Sequence, residues 1–98
     1  MTRLVFSPRA LLDMERLALF LRDGDVEAAR ETVPILIRGL TILREHPLMG
    51  RKVESGLREL LIARGKSGYV ALYDFDVVKD LAIVQAIRQQ REHGFEHE

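Results

Sequence analysis

One change of hydrophobic period divides this chain. Up to His46-Pro47 the apolar residues recur at helical spacing, whereas after Gly56 they fall in short runs rich in Val, Ile, Leu and Tyr, separated by turn signals. Such a switch excludes an all-helical bundle and an all-β sandwich. A helical hairpin followed by consecutive strands is the pattern of an α+β fold whose helices cover an antiparallel sheet.

The local signals are specific. Residues 2–7 read as a strand through Leu4, Val5 and Phe6 that stops at Ser7-Pro8. Ser7 suits a helix N-cap and Pro8 the first helical position, where its missing N–H costs nothing, so the spacing predicts a helix to about Arg22. Its packed stripe is Leu11, Met14, Leu17, Ala18 and Leu21. Asp23-Gly24-Asp25 reads as a tight turn into a second helix from about Val26 to Glu45, with the stripe Val26, Ala29, Val33, Leu36, Ile37, Leu40 and Leu43. Pro34 predicts a kink or break there, with Thr32 a candidate second cap. His46-Pro47 and Gly50 end the helical half. Three strands follow, Leu57 to Arg64, Gly68 to Asp76 and Asp80 to about Arg91, joined by turns at 65–68 and 76–79 into an antiparallel meander. The last strand is apolar on both faces, which predicts an interior strand with a second cover: the C-terminal tail, a twofold copy or a partner protein. The tail from Glu92 to Glu98 is polar and is expected to fray.

Composition narrows the function classes. Residues 1–98, with 47% hydrophobic content, suit one domain with one core. There is no Cys and no metal-ligand spacing, so disulfides and a structural zinc site are excluded and no cofactor is expected. No run is long enough to cross a bilayer and no secretory leader is legible, which predicts a cytoplasmic protein. Fifteen basic and fifteen acidic residues balance overall, seven of each up to Gly50 and eight of each after it. No global field therefore draws in nucleic acid, and any polyanion site must be local.

The order of elements is similar to that of the ParE/RelE superfamily, the toxins of type II toxin–antitoxin pairs. The resemblance is carried by Phe6-Ser7-Pro8 with Ala10 and Asp13, by His46-Pro47-Leu48-Met49-Gly50-Arg51, by Leu57-Arg58-Glu59-Leu60, by Tyr69-Val70-Ala71-Leu72-Tyr73, and by Ala86 through Phe95. It covers nearly the whole chain. What it implies is a β-α-α-β-β-β fold, a growth inhibitor, and a cognate antitoxin that neutralises it in a hetero-oligomer. One branch of the superfamily ends in a pattern with histidine where this chain has Gln89 and tyrosine where it has Phe95, so two groups able to move a proton are missing.

Three functions follow from the resemblance. RelE-like members cleave messenger RNA on the ribosome, which needs an acid, a base and cations around the phosphorane. Arg58, Arg64, Arg88 and Arg91 are the candidate cations, the first two on one strand face by their even spacing. The alternative for these arginines is an ordinary solvated or acid-paired surface role. The candidates for moving protons are poorer: Glu54 sits in a predicted loop, His46 suits the end of a helix, and His93 and His97 lie in the tail. ParE-like members instead inhibit DNA gyrase by binding, which tolerates Gln89, Phe95 and zero net charge. This is the favoured reading. The third is a module that binds its antitoxin without being toxic. For target or antitoxin binding the candidates are Leu12, Leu19 and Phe20, which lie off the packed stripe of the first helix, with Arg51, Lys52, Tyr69 and Tyr73. The three apolar residues suit either a wrapped surface or further core, and the tyrosines suit a half-wet sheet surface.

Overall fold

A computed structural model of the chain describes residues 1–92. The elements are β1 (Arg3–Phe6), α1 (Pro8–Arg22), α2 (Val26–Leu40), a 3-10 turn (Thr41–Arg44), β2 (Arg51–Lys52), β3 (Arg58–Arg64), β4 (Ser67–Asp76) and β5 (Leu81–Gln89). They form the predicted α+β arrangement, two helices on a five-stranded sheet ordered β1-β5-β4-β3-β2. The meander is antiparallel, and β1 adds to it in parallel beside β5. Of the tail only Glu92 is described; positions 93–98, with His93, Phe95 and His97, lie outside the described residues.

Alternation sets the two faces of the sheet. Leu60, Ile62, Tyr69, Ala71, Tyr73, Ala82, Val84 and Ile87 face the helices and join Ala10, Met14, Leu17, Leu36, Leu40 and Leu43 in the core. Between Leu72 and Tyr73 the register slips, so that β5 carries one extra residue, Gln85, in a bulge. The bulge is met by α1. Ser7 Oγ accepts the Ala10 amide (3.0 Å) as the helix cap and donates to the Gln85 carbonyl (2.9 Å). One helical turn on, the buried Asp13 accepts the Ile87 amide (2.8 Å), which has no strand beside it because β1 ends at Phe6. Arg9 lies 3.3 Å from the other oxygen of Asp13 and Arg16 3.9 Å from it, so the carboxylate is buried with cations at its rim.

The second helix departs from expectation. Pro34 neither breaks it nor makes Thr32 a cap; α2 continues as one element to Leu40. Pro34 is exposed, so the Arg30 carbonyl that loses its partner faces water, and the missing bond is cheap. Thr32 is fully buried and donates back to the Ala28 carbonyl (2.9 Å). The packed stripe is rotated accordingly: Thr32, Leu36 and Leu40 face inward, while Val26 and Ile37 are exposed, as is Leu11 on α1.

Asp13→Ala leaves a buried amide without an acceptor and is expected to cost about 2 kcal/mol. Asp13→Asn, which keeps an acceptor oxygen, should cost less. Urea denaturation of the three proteins measures the order; equal stability of Asp13→Ala and wild type would remove Asp13 from this role.

Candidate functional site

The four candidate catalytic arginines are not brought together. Arg58 and Arg64 share the helix-facing side of β3 but stand at its two ends, six residues and roughly 20 Å apart. Arg88, paired in register with Val70, points to the opposite face. Only Arg64 and the exposed Arg91 meet, along a cleft of about 340 Å³ that Phe20, Leu21 and Ala28 also line.

Their donors are also committed. Arg58 Nη1 donates to the carbonyls of Leu48 (3.2 Å) and Gly50 (2.7 Å). Arg64 donates to Thr32 Oγ1 (2.9 Å), Tyr69 Oη (2.8 Å) and the Ala28 carbonyl (2.7 Å), tying β3 and β4 to α2. Arg88 Nη1 donates to the carbonyls of Gln89 (3.0 Å) and Glu92 (2.9 Å), holding Glu92 against its own strand. A guanidinium with five donors in a fixed fork is well suited to gather carbonyls in this way. Arg58 and Arg64 are half-buried on neutral acceptors, which is not the solvated or acid-paired surface role.

Tyr69 and Tyr73, expected at a half-wet surface, are buried on the core face, with Tyr69 bordering the cleft of Arg64 and Arg91. Tyr73 sits on the central strand, where its ring is covered by the helices and its hydroxyl reaches the 46–50 turn. There it donates to the Pro47 carbonyl (2.7 Å) and accepts the Gly50 amide (2.9 Å). Burial pushes its phenol above 10.0, an effect that the Gly50 hydrogen bond and the Arg58 charge partly oppose. The His-Pro-x-x-Gly-Arg segment is thus a structural lock. A Cβ on Gly50 would lie 2.6 Å from Tyr73 Cε1 and 2.8 Å from the Glu59 carbonyl, so only glycine fits. Among the described residues no group of His, Asp and Glu could hold a metal ion.

What remains open to a partner is apolar. Leu12 (63% exposed), Leu19 (49%) and Phe20 (71%) lie on the outer side of α1, joined by Leu11, so of their two readings the exposed surface holds. On the outer sheet face Leu61 (64% exposed) and Ala63 are open and Leu72 and Ile83 half-buried, while Val70 and Ala86 beside them are buried. Arg51 and Lys52 are exposed on the edge strand β2, with Arg51 paired to Glu59 at 2.9 Å. Leu11 and Leu61 were missed as surface residues because a core stripe and a strand run contain the same residue types. Asp13 reads from the sequence as a surface residue of the first helix but is buried; the signal for it is an acid four residues before Leu17 and three after Ala10, inside the packed arc.

Two helices fastened to a mixed sheet by buried polar contacts, with apolar residues exposed on α1, define a small α+β domain of the toxin type. The chain matches the family described as the ParE toxin of the type II toxin–antitoxin system parDE over residues 4–94, and it belongs to that family. It is similar to Toxin RelE1 of Caulobacter vibrioides, with 40% identity over 67 residues that span 68% of this chain and 72% of that one. Toxin RelE3 of the same organism is 29% identical over 85 residues, 87% of this chain and 90% of that one. In fold it is similar to a chain of the intact E. coli RelBE toxin–antitoxin complex, with a TM-score of 0.60, 19% identity, and coverage of 94% of this chain and 100% of that one. Among the described residues no helix is long and apolar enough to cross a membrane.

Gly50→Ala is expected to destabilise by about 1–3 kcal/mol, through overlap with ring and backbone. Tyr73→Phe should also destabilise, and it should change the alkaline limb of stability in a definite direction. The unfolded chain loses the phenolic proton near 10.0 while the folded protein still holds it. Stability present below that pH is therefore lost as pH rises through the folded value, by up to about 1.4 kcal/mol per unit. Wild type should lose stability more steeply than Tyr73→Phe above pH 10 in denaturant titrations; parallel curves would contradict the buried neutral phenol.

Proposed function

We propose that this family member inhibits growth by binding DNA gyrase, makes and breaks no bond itself, and is held in check by a cognate antitoxin in a hetero-oligomer. The observation that carries the reading is the commitment of the arginines. Phosphoryl transfer to a ribose hydroxyl needs cations free to meet charge as it develops. Here Arg58, Arg64 and Arg88 are spent on carbonyls and neutral hydroxyls, and they lie on different faces. The centre of the outer sheet face is apolar where an RNA-binding surface would be basic. The ParE-like resemblance, Gln89 and the net charge of zero point the same way.

Antitoxin binding is assigned to the outer side of α1. Leu12 and Leu19 stand one heptad apart with Leu11 and Phe20 beside them, which is the anchor spacing for an amphipathic helix or a wrapped tail. Arg51 and Lys52 on the opposite edge are assigned to the target side, where a charged rim suits a transient contact.

The purified protein is expected to inhibit gyrase supercoiling and to leave messenger intact in a ribosome-dependent cleavage assay. Cleavage that Arg64→Ala abolishes in a folded protein would overturn the binding reading. Normal growth on expression without antitoxin, with gyrase unaffected, would leave a non-toxic antitoxin-binding module. Separately, Leu12→Glu with Leu19→Glu should raise the antitoxin Kd at least about 30-fold, the loss of one interface hot spot, with an unchanged melting temperature because both side chains are exposed. Unchanged affinity on calorimetric titration would move the antitoxin elsewhere.

A further inference from the structure

A turn on the surface can leave its polar backbone groups to water, so contacts that reach the 46–50 turn from inside the fold call for a reason. Tyr73 Oη donates to the Pro47 carbonyl (2.7 Å) and accepts the Gly50 amide (2.9 Å), and Arg58 donates to the carbonyls of Leu48 (3.2 Å) and Gly50 (2.7 Å). The Met49 amide closes the turn on the His46 carbonyl (3.1 Å). The backbone is thus held at every residue of the turn. Its apolar side chains are nonetheless turned outward, Leu48 at 57% and Met49 at 52% exposure. A rigid backbone that displays apolar groups to water is organised in advance for a partner, which then pays no ordering cost there.

Met49 lines two hollows. One, of about 450 Å³, is walled by Pro47, Leu48 and Phe75, with the exposed Glu45 and His46 beside them. The other, of about 350 Å³, is walled by Leu60 and the exposed Leu61, with Arg51 and Glu59. Arg51 and Lys52 continue the same surface along β2. Arg51 is paired to Glu59 (2.9 Å), whereas Lys52 makes no ion pair among the described residues. These features specify the occupant. It carries apolar side chains that fill the hollows on either side of Met49, whose unbranched thioether adapts to both, and an acid placed to meet Lys52. The antitoxin is otherwise engaged, since α1, to which it is assigned, packs on β5, three strands from β2.

We propose that residues 48–52 form the surface that seizes the target, with apolar side chains of gyrase seated in the two hollows beside Met49 and an acidic residue of gyrase against Lys52. The identity of the target rests on the gyrase reading; the surface does not, and it adds apolar anchors to the charged rim already assigned there. The test compares the full chain with Met49→Glu, Lys52→Glu and Lys52→Arg, using Val26→Glu as a control because Val26 on α2 matches Met49 in exposure at 52%. Met49→Glu and Lys52→Glu should each raise the concentration for half-inhibition of gyrase supercoiling at least about tenfold, the loss of one interface hot spot. Lys52→Arg and Val26→Glu should inhibit like the wild type, and growth arrest on expression should follow the same order. Melting temperatures should be unchanged; if Met49→Glu does not fold, the two Lys52 variants still decide. Inhibition by the wild type that survives both Met49→Glu and Lys52→Glu overturns the proposal and leaves the gyrase reading intact. Growth arrest without gyrase inhibition removes gyrase as the target, and the surface then stands if both variants abolish the arrest and falls if they do not. A wild type that does neither overturns both. Sedimentation as a dimer that Met49→Glu dissociates, with inhibition retained, also overturns the proposal, since a second copy would then fill the hollows.

Discussion

The orientation of α1 on the sheet depends on two side-chain oxygens meeting the backbone of β5. A helix rolling on apolar residues has many nearly equal rotations, because burial is set by area and not by direction. Ser7 and Asp13 remove that freedom, since a hydrogen bond is satisfied only over a narrow range of distance and angle. They act at the bulge, where the Gln85 carbonyl and the Ile87 amide fall out of the ladder and would otherwise be buried unpaired. The irregular strand and the polar helix face each require the other. Fixing α1 in this way also fixes which of its sides faces outward, so the Leu12–Leu19 surface follows from contacts made on the far side of the same helix.

The arginines follow a parallel logic on the other half of the molecule. The 46–50 turn presents the Leu48 and Gly50 carbonyls to Arg58, and where α2 meets β3 Arg64 collects two hydroxyls and the Ala28 carbonyl. Lysine could not replace either, having a point charge on a flexible stem where a planar fork is used. A cation held by neutral acceptors keeps its charge but loses its mobility. An arginine that maintains a junction in this way is a poor candidate to reorient around a developing phosphorane.

Much of the architecture was legible because the signals were local. Ser7-Pro8 marks the start of α1, the three apolar runs mark β3, β4 and β5 to within two residues, and their order gives the meander. The tertiary facts were not legible. Nothing in the run Arg3–Phe6 says that it pairs in parallel with β5, a strand 78 residues away. Pro34 misled because propensity ignores exposure, which makes its lost bond cheap at this position. The tyrosines misled for the converse reason: an amphipathic side chain reads as surface unless one knows that buried carbonyls wait for its hydroxyl. Candidate cations could be read as residue types, but their burial and partners depend on which strand end meets which turn.

Zero net charge bears on how such a protein finds its partners. Without a global field, encounter proceeds at the ordinary docking rate, and selectivity has to come from the patch itself. The surface is divided accordingly, with an apolar helix face on one side and, on another, Arg3 and Arg44 beside the rim of the sheet. An apolar face binds through area and discriminates weakly among apolar occupants, so discrimination among partners falls to the charged and hydrogen-bonding groups at its rim.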